Sequence, residues 1–193
     1  MANTFNPACF GGNSRDGWIG DFPNIKAVQK LDDEQLLEIG GSYGVIADRM
    51  QQIWVHADRY WNSGKGVHHD EWQTIIDPII DSFEKGYGND WAKNPEIWEK
   101  YSKKWIELKA KFPQTHLDEK VAVLQVLGTR GMQLCPFENC GFVWNEDVLV
   151  VNRATLKPLT INRGTIHLAR EHHFLEKGNK YGISAREFYD AFM

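Results

Sequence analysis

The sequence reads as an α+β protein in segregated parts: a mainly helical body, then a small C-terminal module of β-hairpin plus helix that zinc would stabilise. Three features carry this expectation. Apolar residues recur at helical steps of three and four between residues 36 and 127, whereas beyond Gly128 the apolar runs are short and rich in β-branched residues. Composition is that of an ordinary globular chain, with 42% hydrophobic and 25% charged residues over 193 positions. Cys135, Cys140, His167 and His172 fall at metal-ligand spacing within the second part.

Taken in order, residues 1–30 are rich in Asn and Gly, contain Pro7 and Pro23, and show no periodicity. They are expected as an extended arm over the body, because Phe5, Phe10, Trp18, Ile19 and Phe22 are costly to leave in water. The helical body, residues 31–128, opens with a cap at Asp32 or Asp33. Its first stripe is Leu36, Ile39, Tyr43, Ile46, Met50, Ile53, Ala57 and Tyr60. Gly40, Gly41 and Gly44 each cost about 1 kcal/mol relative to Ala in such a helix, and predict a close helix crossing or a break near Gly41. Trp72, Ile75, Ile76, Ile79, Ile80 and Phe83 mark a second helix with Pro78 as a kink or split. A third starts at the Asn94 cap with Pro95 in its first turn, buries Ile97, Tyr101, Trp105, Leu108 and Phe112, and ends at Pro113. Thr115 is expected to cap a fourth, with Leu117, Val121, Leu124 and Val126 or Leu127 as its face and Gly128 as its stop.

In the module, residues 129–193, strands are expected at Met132–Leu134, Gly141–Trp144 and Val148–Asn152, with Asn145-Glu146-Asp147 as a hairpin turn. A helix from Gly164 to Lys177 and another from Ser184 to Phe192 complete it, the latter opened by the capping box Ser184-x-x-Glu187.

Charge narrows the function classes. Residues 1–127 carry 14 basic and 19 acidic side chains and the remainder carries 8 and 7, so neither part has the concentrated positive field that phosphate binding needs. Nucleic acid is therefore not the expected partner; another protein, or a second copy of this chain, is. No run of 18 or more apolar residues is present and the start lacks the basic-then-apolar order of a signal peptide, so no membrane association is expected. Three cysteines form an odd, sparse set unlike a secreted disulfide scaffold, and reduced thiols in a cytoplasm are the expectation.

Chemistry concentrates in Cys135-x-x-x-x-Cys140 followed by His167-x-x-x-x-His172, with His173 alongside. Two cysteines on a tight turn after a strand and two histidines on a helix can supply the four soft or borderline donors of a tetrahedral zinc site, one ion per chain. The 26 residues between Cys140 and His167 exceed a usual finger linker, but a hairpin would occupy them. The order strand, Cys turn, hairpin, helix resembles a treble-clef or zinc-ribbon-like finger in general character. On an ideal helix the two histidines stand about 140° apart, so the helix end must tighten for both to reach one ion. His172, closer to His167, is the expected ligand rather than His173.

Two rival readings use the same residues. In a metal-dependent hydrolase, His167 and His172 would hold an open-sided ion while Glu171 or Glu176 acts as general base. In a metal-free interaction protein the cysteines are small buried hydrophobes, and the long stripe from Leu36 to Tyr60 pairs with a second copy. Elsewhere, Asp70 and Glu71 beside His68 and His69 suit a helix start. His56 and His116 stand alone, Cys9 lacks an activating environment, and no Gly-rich nucleotide loop is present. Among the tryptophans, Trp54, Trp72, Trp98 and Trp105 are expected in the core, and Trp61, Trp91 and Trp144 nearer ligands.

Overall fold

Helix formation begins earlier than the periodicity suggests. The computed structural model describes residues 24–63, 69–88, 93–109, 115–137, 139–175 and 182–193. Within them α1 spans Ile25–Ile39, its end capped by the Asn24 side chain, which accepts from the Ala27 N–H at 3.1 Å. Residues 25–30, expected in the arm, are therefore helical, and Val28 is fully buried. Asp32, expected as the cap, is buried mid-helix. The rest of the expected arm, with Cys9, lies outside the described residues.

The glycines break the long stripe rather than letting two helices cross. Gly40 takes a left-handed conformation (φ 63°) and its N–H and that of Gly41 close onto the Leu36 carbonyl, ending α1. Ser42 then caps α2, Tyr43–Asn62, whose inward face is Tyr43, Ile46, Ala47, Met50, Ile53 and Ala57. The next helix, α3, spans His69–Tyr87 with Pro78 inside it, and α4 spans Pro95–Lys109 from the expected Asn94 cap.

The expected fourth helix is a strand. After the two-residue β1, Thr115–His116, β2 runs from Val121 to Leu134 and pairs antiparallel with β3, Val143–Asn152; β4, Pro158–Asn162, completes the order β1-β2-β3-β4. Val121-Ala-Val-Leu is apolar at every position because the sheet is covered on both faces, and such a run satisfies helical and strand spacing alike. Val121, Val123, Val148, Val150 and Ile161 meet α2 and the later helices in the main core. On the opposite face Ala122, Leu124, Leu149 and Val151 meet Trp105 and Ile106 of α4. The boundary expected at residue 128 thus falls inside β2, and the main core joins residues from Leu36 to Phe192.

Asn145-Glu146-Asp147 is no turn but part of β3; the β2–β3 connection is Cys135–Phe142 itself. Helix α5, Arg163–His172, is shorter than expected and α6, Ala185–Phe192, opens as expected at Ser184. No described helix is long and apolar enough to cross a membrane. Since Ile46 and Ile53 are fully buried, Ile46→Ala or Ile53→Ala should each lower the unfolding free energy by about 2 to 5 kcal/mol in chemical denaturation.

Candidate metal centre

Two left-handed residues shape the cysteine loop. Asn139 (φ 64°) and Gly141 (φ 69°) turn the chain back so that the Cys135 N–H donates to the Phe142 carbonyl at 2.9 Å and the Cys140 N–H to that of Phe137 at 3.3 Å. Both thiols then face α5. Asn162 caps this helix, its side-chain oxygen accepting from the Thr165 N–H at 2.7 Å, and His173 ends it in the left-handed region (φ 50°). His172 is the last helical residue, where the geometry relaxes, and the 140° separation from His167 is overcome there.

The ligand atoms of Cys135, Cys140, His167 and His172 all lie within 4.8 Å of one another, close enough to bind a metal ion. Cys140 Sγ is 3.0 Å from His167 Nε2, Cys135 Sγ 3.4 Å from His172 Nε2, and the two Nε2 atoms are 3.2 Å apart. Each imidazole is fixed by an aromatic ring, Phe142 stacking on His167 at 4.1 Å and Phe137 on His172 at 3.9 Å. Burial lowers the pKa of both histidines; mutual repulsion lowers that of His172 further, while Glu171 acts in the opposite sense on both. The neutral imidazole, the form that ligates metal, is thereby favoured.

A small core supports the loop: Val28, Cys135, Phe137, Trp144, Leu168 and Phe174. Trp144, expected near a ligand, is buried here at 4% exposure, while Trp98, expected in the core, is 49% exposed. Trp54 and Trp105 pack partly buried against the two main faces, and Trp61 is exposed. The side chain of Trp72, and Trp91, lie outside what is described. A Cβ on Gly164 would fall 2.0 Å from the Trp144 ring, so the first turn of α5 can lie against the indole only because that position has no side chain.

Helix α1 holds the other end of α5, a contribution that no local spacing signals. Gln29 Nε2 donates to the His172 carbonyl at 2.9 Å, and Asp32 Oδ2 accepts from the Leu175 N–H at 3.2 Å. His173 takes no place in the cluster; its ring stacks on Tyr43 at 4.9 Å. Burial and then Asp32 push the Tyr43 phenol well above its ordinary range. Glu171 is exposed, and Glu176 and His68 lie outside the described residues. His56 is half-buried, its pKa lowered by burial and then by Arg59, and His116 is exposed.

The α5 cap depends on a further, half-buried group. Asn162 Nδ2 donates to Asp147 Oδ1 at 3.0 Å, and burial raises the Asp147 pKa despite that bond. A carboxyl with a raised folded pKa favours folding below its unfolded pKa, and the benefit is lost as pH rises through the folded value. Asp147→Asn should therefore stabilise the fold at pH 7 relative to wild type, the difference shrinking as pH falls towards 4, in melts across that range. Gly164→Ala should lower the melting temperature sharply and quench-shift Trp144 fluorescence, as the indole is forced from its pocket.

A scan of protein-family models finds no match, and searches among curated proteins and solved structures find none either.

Proposed function

We propose that this chain is a protein-binding or regulatory module whose C-terminal part is stabilised by one structural zinc ion, held by Cys135, Cys140, His167 and His172. The convergence of these four donors carries the reading. Zinc bonds of about 2.3 Å to sulfur and 2.0 Å to nitrogen, arranged tetrahedrally, put two nitrogens about 3.3 Å apart and sulfur and nitrogen about 3.5 Å apart. The observed 3.2 Å and 3.0–3.4 Å are close to those values. Two thiolates and two neutral imidazoles suit zinc better than calcium or magnesium, which prefer oxygen. When bound, the ion would cross-link the β2–β3 loop to the end of α5 and add folding free energy.

The hydrolase reading has less support. Four protein donors fill a tetrahedron, whereas hydrolysis needs one position for water, and Glu171 is exposed to solvent. Pairing through the stripe of α2 is also disfavoured, because Ile46, Met50 and Ile53 are spent in the chain's own core. Binding of another protein is the role that fits a closed metal site on an α+β scaffold.

Elemental analysis of protein purified without chelator should find close to one zinc per chain. Cys140→Ser and His172→Ala should lose it and melt at lower temperature, whereas His173→Ala should retain it and Glu171→Gln should change neither property. Absence of any transition metal, or retention of zinc by His172→Ala with loss in His173→Ala, would overturn the assignment.

A further inference from the structure

Cys135 and Cys140 share the short loop between β2 and β3, whereas both histidines of the cluster belong to α5. The two sulfurs lie within 4.8 Å of one another and are not bonded together. The Cys140 N–H donates to the Phe137 carbonyl and the Cys135 N–H to that of Phe142, so the loop folds back and sets the thiols side by side. A disulfide bond is about 2.0 Å long, and a change of side-chain rotamer is the scale of movement that closes the difference. Cys135 is buried and Cys140 half-buried.

The division of the donors between loop and helix decides what joining the thiols would do. It removes both donors of the loop at once and leaves two imidazoles on one helix, too few to fill a tetrahedral site. The end of α5 is held independently of the loop. Gln29 keeps the His172 carbonyl, Asp32 the Leu175 N–H, and Tyr43 the His173 ring. The strands also remain paired at the root of the loop, where Leu134 stands opposite Val143. Loss of the cross-link therefore frees the loop from the helix without dismantling either.

We infer that Cys135 and Cys140 form a redox switch, closed to a disulfide by a hydroperoxide, which releases the ion and uncouples the β2–β3 loop from α5. This adds regulation to the site and rests on the zinc reading of it. As a metal ligand each cysteine is a thiolate, the nucleophilic form. The sulfur of Cys140, the less buried of the two, attacks an oxygen of the hydroperoxide. The O–O bond breaks, Cys140 becomes a sulfenic acid, and the departing alkoxide or hydroxide takes a proton from solvent. The Cys135 thiolate then attacks the Cys140 sulfur, forming the S–S bond and expelling hydroxide, which is protonated to water. The two thiolates lose two electrons and the hydroperoxide gains them. A dithiol reductant reverses the closure by exchange.

Hydrogen peroxide added to the zinc-loaded full chain should release its zinc to a colorimetric chelator, in step with a loss of about two hydrogens in intact mass. Peptide mapping should join Cys135 to Cys140, and Cys9→Ser should behave as wild type. Far-UV circular dichroism should keep its native form at room temperature while the melting temperature falls, and dithiothreitol with added zinc should restore both. Zinc held through peroxide treatment, release with oxygens added to a cysteine in place of a disulfide, a disulfide to Cys9, or global unfolding on oxidation would each overturn the switch. A chain isolated without zinc refutes the metal reading beneath it, whereas a chain that keeps its zinc against peroxide refutes the switch alone.

Discussion

The short stretch of backbone from His172 to Leu175 is where three parts of the molecule are made to meet. Its first residue turns an imidazole towards Cys135 and gives its carbonyl to Gln29 of α1. Its second leaves the helix in a left-handed conformation and lays its ring on Tyr43 at the start of α2. Phe174 enters the small core beneath the cysteine loop, and Leu175 enters the main core while its N–H is bound by the buried Asp32. Burying a carboxylate is costly unless it is hydrogen-bonded, so Asp32 belongs where it stands only if this turn is present to meet it. The Cys/His cluster is therefore not a free-standing finger: its second histidine is positioned by the first helix of the chain.

The remainder of the cluster follows from contacts of the same kind. The loop needs left-handed residues at Asn139 and Gly141 to bring both thiols to one side. The helix needs Gly164 to approach Trp144, and its cap needs Asn162, which is steadied by Asp147 across the β3–β4 pair. Phe137 and Phe142 then hold each imidazole face-on. Every donor is thus oriented by a neighbour with little freedom of its own, and such pre-organisation is what a structural metal site requires.

The sheet shows the reverse side of this economy. Its two faces are covered, one by α2, α5 and α6 and the other by α4, and among the described residues no strand lies beyond β4. Proteins commonly blunt an edge with charge or proline, and here Pro158 does so only at the beginning of the strand.

What the residues determined by themselves were the features with local causes. The α+β class, the buried stripe of α2 and the caps at Asn94 and Ser184 depend on near neighbours in sequence and were legible there, and the Cys and His spacing singled out four side chains that the fold brings close together. Long-range contacts decided the rest. Residues 121–127 fit helix and strand equally, because a segment buried on both faces loses its alternation, and only pairing with β3 selects the strand. Trp144 and Trp98 exchanged their expected environments because exposure depends on which element arrives opposite, and a glycine twenty residues away made room for the first. The grip of α1 on the end of α5 joins residues 143 positions apart, and no periodicity records a hydrogen bond over that distance.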